Sequence, residues 1–130
     1  MNWKSSGKLT YSPRTHLKSS ENWLVVMCDD EIANYYRCLY RREFPWLSKL
    51  QRPVWGCHIS VVRGENIPNV QAWGFAANRI INFDYEPGVK TNGEYFWLTV
   101  HCDELLAIRE VFGVRREPKF GLHLTIGRIT

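Results

Sequence analysis

His58-Ile59-Ser60 and His123-Leu124-Thr125 repeat one short pattern of His, apolar residue and hydroxyl. Each copy sits in an apolar run that reads as a β-strand, where residues i and i+2 point to the same face. Each strand therefore presents an imidazole beside a hydroxyl. Laid next to each other, two such strands bring two imidazoles and two hydroxyls into one cleft. Those groups suit proton transfer around a phosphate. One His acts as base and the other as acid, while the hydroxyls hold phosphate oxygens. His58, Ser60, His123 and Thr125 are thus the candidate catalytic set. Taken singly, each His reads better as a satisfied strand histidine; the pair at matching positions points to function.

The elements that must position these groups also repeat. Residues 23–28 form a continuous apolar run and read as a buried strand. Asp29 or Asp30 can cap the helix that follows, over 30–43, with Ile32, Tyr35, Tyr36 and Leu39 on its apolar face and Pro45 after its end. A strand over 55–62 carries the first motif. In the second half, 94–101 reads as a strand and Asp103 as the cap of a helix over 103–112. Leu105, Ile108 and Phe112 share a face there, and Gly113 is the stop. A strand over 121–129 carries the second motif. Between the halves, 78–85 reads as a further strand and 86–93 as a hairpin loop. The first 22 residues are polar and basic, with a short strand over 8–11 and a loop over 13–22. Cys28-Asp29 and Cys102-Asp103 open the two helices alike. The expected fold is α+β over one domain, 1–130. It comprises two pseudo-symmetric lobes of antiparallel-rich sheet, a helix outside each, and the cleft between.

With 130 residues, 45% of them hydrophobic, the chain can bury a modest core. Lys+Arg 17 against Asp+Glu 13 gives a net charge of +4, which favours an anionic partner. Cys28, Cys38, Cys57 and Cys102 have no paired spacing, which argues against a zinc ribbon. Met1-Asn2-Trp3-Lys4-Ser5-Ser6 lacks the apolar core of a signal peptide, and no stretch approaches a membrane span. The expectation is a cytoplasmic, reduced protein without a membrane or obligatory protein partner.

The duplicated strand-helix-strand with His-x-Ser/Thr in each half, covering 23–129, resembles the two-histidine (LigT-like) phosphoesterase superfamily. The resemblance implies metal-independent action, without cofactor, on cyclic phosphates, 2′-5′ linkages or, in some phage members, cyclic oligonucleotides used as immune signals. It implies that His58, Ser60, His123 and Thr125 are the catalytic residues. Ser60 stands where Thr is commoner. A phage-encoded member would work in the host cytoplasm as an anti-defence protein.

Arg63 and Arg128 each follow a motif His by five residues. By alternation they fall on the opposite face, but parity is soft at a twisted strand end, so both are candidates for binding phosphate. Lys90 in the hairpin loop is another, while Lys119 reads as solvated. Among the aromatics, Tyr11, Trp55, Trp73, Tyr85 and Phe120 lie near the cleft or its loops, where a nucleobase could stack. Trp55 and Phe120, each three residues before its motif His, are the preferred pair, with Tyr11 as a further candidate. The rival chemistry is a metal held by His58, His101 and His123; no carboxylate or thiolate stands at ligand spacing, which argues against it. A non-catalytic binder of a nucleotide or RNA end, and a plain interaction domain, are the alternatives.

Overall fold

The computed structural model describes residues 2–11, 22–44, 50–53 and 56–129. Its elements are β1 (Trp3–Tyr11), β2 (Trp23–Cys28), α1 (Asp30–Glu43) and β3 (His58–Arg63), then a 3-10 turn at Val70–Ala72. β4 (Ile80–Tyr85), β5 (Lys90–Thr91), β6 (Tyr95–His101), α2 (Asp103–Val111) and β7 (His123–Arg128) follow. Pro45, Trp55 and most of the loop expected over 13–22 lie outside the described residues.

The strands run β4-β1-β2-β3-β7-β6-β5, and β4 also pairs with β6. Every strand pairing among the described residues is antiparallel. The fold is thus α+β, but the two halves do not form separate sheets. One sheet closes on itself, because β4 pairs with β6 as well as with β1, and the β1–β4 junction then lies opposite the β3–β7 junction. Repetition is preserved within it: β1, β2 and β3 on one side correspond to β4, β6 and β7 on the other. A pseudo-twofold axis passes between β3 and β7 and again between β1 and β4.

β1 is longer than the run over 8–11 suggests. Of its nine residues only Leu9 is fully buried, so it lacks the apolar alternation that marks a strand. Paired edges hold it instead. Gly7 allows close approach to β2, since a Cβ there would stand 2.6 Å from the Met27 carbonyl oxygen.

Asp29 caps α1, its Oδ1 accepting from the Glu31 N–H at 2.9 Å. α2 departs from the expectation: Cys102 is its N-cap residue, its side chain making no capping bond to the helix, and Asp103 is the first helical residue. Leu105, Ile108 and Phe112 are buried as the spacing predicts. The buried face of α1 lies one position away from the predicted one. Ala33, Tyr36 and Arg37 face inward, Ile32 and Leu39 are half-buried, and Tyr35 is 63% exposed. Arg37 sets this rotation, because its guanidinium reaches the β7 backbone. Each helix thus crosses over. α1 packs on β7, the motif strand of the other half, and α2 contacts β3. Among the described residues no helix is long and apolar enough to cross a membrane.

Candidate active site

Two left-handed glycines introduce the motif strands. Gly56 (φ 81°) stands two residues before His58, and Gly121 (φ 69°) two before His123. The turn each makes aims its carbonyl at the imidazole that follows. His58 Nδ1 lies 2.9 Å from the Gly56 oxygen, and His123 Nδ1 lies 3.0 Å from the Gly121 oxygen. A carbonyl only accepts, so Nδ1 carries the hydrogen in both rings. That fixes the tautomer and leaves Nε2 as the nitrogen that gains or loses a proton. Each ring also stands edge-on to a tryptophan of the neighbouring strand. His58 stands 6.1 Å from Trp23, and His123 stands 6.3 Å from Trp97, between ring centres.

β3 and β7 meet at Ile59 and Leu124, the middle residues of the two motifs. Antiparallel counting from that pair sets His58 across from Thr125 and Ser60 across from His123. The imidazoles are then diagonal neighbours, with Cα atoms about 7–8 Å apart. All four residues line one cleft of about 770 Å³. The His58 imidazole is held below its ordinary value. Burial is the largest cause, opposed by the Gly56 carbonyl, with the Arg63 and His123 charges adding to the lowering.

Arg63 and Arg128 line the same cleft, which strict alternation does not predict. The reason is a pair of matched β-bulges. Against β2, Ser60 pairs with Val25 and Val62 with Leu24, so Val61 is an extra residue. Against β6, Thr125 pairs with Trp97 and Gly127 with Phe96, so Ile126 is extra. Two buried residues therefore follow each other in each strand, Val61-Val62 and Ile126-Gly127, and the parity reverses. Both arginines come round to the histidine face. Arg63 lies with its guanidinium carbon 5.0 Å above the Trp23 ring. The Arg128 Nε is buried and finds no acceptor among the described residues. Gln51 clasps the Arg128 backbone through two hydrogen bonds of 2.8 and 3.0 Å.

The cleft is basic. Arg63, Arg115, Lys119 and Arg128 line it, and its one lining carboxylate, Glu65, is held by Arg109 at 2.6 and 2.9 Å. Phe120 is 80% exposed and stands at the junction with a side chamber of about 430 Å³, under the Lys119 ammonium. Lys90 and Trp97 line that chamber together with His123, so Lys90 lies outside the main cleft that holds both imidazoles. Tyr11 is placed elsewhere. Its ring packs on Trp73 and Phe112, and its hydroxyl donates to the Phe75 carbonyl, so it serves the core. Tyr85 is half-buried beside Phe83. Trp55 lies outside the described residues. His101 does not join His58 and His123. Its Nε2 lies 2.6 Å from Glu86, and among the described residues no three His, Cys, Asp or Glu side chains gather to hold a metal.

Several site residues lack a signal in the two short motifs. Tyr95, Trp23 and Trp97 enter the site through strand register. Gly56 and Gly121 are readable: the full repeat is Gly-x-His-x-Ser/Thr. No protein-family model, curated protein or solved structure matches the chain.

Proposed function

We propose that the protein is a metal-independent phosphodiesterase of the two-histidine type, with two lobes flanking a shared cleft. It acts on a cyclic phosphate, a cyclic oligonucleotide or an RNA end. The observation that supports this most strongly is the pair of imidazoles, each held through Nδ1 by a glycine carbonyl two residues back, across one register step in a basic cleft. His58, with its lowered proton affinity, is neutral near pH 7 and suits the base. Its Nε2 takes the proton of the nucleophile, a water or a ribose 2′-hydroxyl. His123 then gives its Nε2 proton to the leaving oxygen. Ser60 and Thr125 donate to the non-bridging oxygens as charge builds, and Arg63 and Arg128 neutralise it. A nucleobase stacks on Phe120. In a phage setting this activity would remove a nucleotide immune signal.

The test is incubation with 2′,3′-cyclic nucleotides, cyclic di- and trinucleotides and 2′-5′ oligoadenylates in excess EDTA, read by chromatography. Hydrolysis of at least one is expected. His58→Ala and His123→Ala should each lose about 10²–10⁴-fold in kcat with unchanged melting curves. Binding without turnover by the native protein would assign it as a sequestering protein instead. Near-native turnover by either folded His variant would refute the proposed roles.

A further inference from the structure

The bulges that turn Arg63 and Arg128 into the cleft each leave a strand carbonyl needing a donor, and each receives one from a buried arginine. Arg37 of α1 is 5% exposed, and its Nη1 donates to the Ile126 carbonyl at 2.8 Å. Asn34, one turn back, accepts from its Nη2. Arg109 of α2 is 1% exposed, and its Nη1 donates to the Val61 carbonyl at 2.7 Å. Its Nε reaches the Arg115 and Arg116 carbonyls at 2.9 and 3.1 Å, and its fork holds Glu65. Ile126 and Val61 are the extra residues of the two bulges. The arrangement occurs once per half and crosses the pseudo-twofold axis, since each helix serves the other half's strand.

A buried guanidinium is expensive to desolvate and weak evidence of stabilisation. Two such groups, each placed on a bulge carbonyl, point to a requirement for the bulge itself. Without the extra residue, alternation would return the fifth residue after each His to the far face.

We infer that Arg37 and Arg109 are positioning residues: Arg37 holds Arg128, and Arg109 holds Arg63, in the orientation that meets a phosphate group. The inference rests on the cleft being a phosphate site. It implies a crossed pattern of coupling that general structural support would not produce, because each helix arginine acts on one cleft arginine and not the other.

The probe is inorganic phosphate, titrated into the whole protein and followed through the imidazole NMR signals of His58 and His123. Arg37→Met and Arg128→Ala should each weaken phosphate binding about tenfold, and the double variant should be no weaker than Arg128→Ala alone. Arg37→Met combined with Arg63→Ala should multiply the two losses. Arg109→Lys, which keeps a charge beside Glu65, should couple to Arg63 and not to Arg128. On a hydrolysed substrate, Arg37→Met should lower kcat/KM by about the same tenfold as Arg128→Ala. Equal coupling of Arg37 to both cleft arginines, or unaltered phosphate affinity in folded Arg37→Met, would overturn the inference. A measurement on the native protein covers variants that do not fold. Because linkage is reciprocal, phosphate should slow hydrogen exchange at the Val62 and Gly127 amides; unchanged exchange with phosphate bound would also overturn it. Phosphate binding without turnover of any nucleotide would retire the hydrolase reading and leave this inference standing. A native protein that does not bind phosphate would remove it.

Discussion

Gly127→Ala and Gly7→Ala make a matched pair of perturbations, one at the cleft and one across the sheet from it. A Cβ on Gly127 would stand 2.8 Å from the Gln51 carbonyl oxygen and 2.9 Å from Leu50 Cδ1. Ordinary contact begins near 3.4 Å, so the Gln51 segment and β7 must part by about 0.6 Å. A Cβ on Gly7 would stand 2.6 Å from the Met27 carbonyl oxygen and 2.5 Å from Val26 Cγ1. Overpacking of this size costs about 1–3 kcal/mol. Part of that is offset by the smaller unfolded-state entropy of alanine, about 0.4–1 kcal/mol. Both variants should therefore melt lower by about 4–8 °C. Their functional effects should differ. Gln51 holds the backbone of Arg128, and parting the two strands moves that guanidinium away from its place in the cleft. A charge-assisted hydrogen bond is worth about 1.5–3 kcal/mol, or about 10–100-fold in affinity. Gly127→Ala should lose up to the roughly tenfold in phosphate affinity expected for Arg128→Ala, measured by titration at a temperature where both variants are folded, while Gly7→Ala should bind as the native protein does. Equal binding by the two variants would refute the claim that the β7 backbone sets the phosphate contact.

Acidification should destabilise the fold in part through His58. Its imidazole is held below 6.5, so the unfolded chain takes up the proton more readily than the folded one. This contribution is complete above about pH 6.5 and is lost as pH falls through the lowered folded value. Calorimetry should find a smaller acid-induced fall in Tm for His58→Gln than for the native protein, and identical slopes would contradict the burial argument. Phe120→Ala should raise KM for a nucleotide substrate about 5–100-fold with no change in Tm, because the ring is 80% exposed. A normal KM would remove Phe120 from the base-binding surface.

The strands and helices that carry the site are legible because their apolar residues follow one period at a time. Trp23–Cys28 is a continuous apolar run, and α2 buries Leu105, Ile108 and Phe112 as spaced. Only the end of β1 over 8–11 is legible; residues 3–7 are not, since hydrogen-bonded neighbours hold them rather than their own side chains. Closure of the sheet is likewise a long-range event, resting on β1–β4 and β4–β6 pairing that no local pattern encodes. Within the site, His58, Ser60, His123 and Thr125 share a face because alternation holds between i and i+2. Alternation fails at Arg63 and Arg128, where one inserted residue per strand reverses it. The buried role of Arg37 was hidden by its charge. Arginine reads as solvent-facing until a strand carbonyl in the other half gives it a reason to be buried.

The axis between β3 and β7 repeats the same groups on both sides of the phosphate, so only what differs between the halves can give them a direction, as the burial of His58 does. A phosphodiester is itself nearly twofold about phosphorus, so turning it over exchanges its bridging oxygens between the two imidazoles. The reading direction along a nucleic-acid strand must therefore come from whatever breaks the symmetry of the walls. Phe120, Lys119 and the side chamber of Trp97 and Lys90 belong to the second half. On the proposed phosphodiesterase reading they would be the handle by which a polar chain is held one way round. Redesigning Phe120, Lys119 and Lys90 would then alter which end of a substrate is released, whereas a change at Trp97 would also disturb His123.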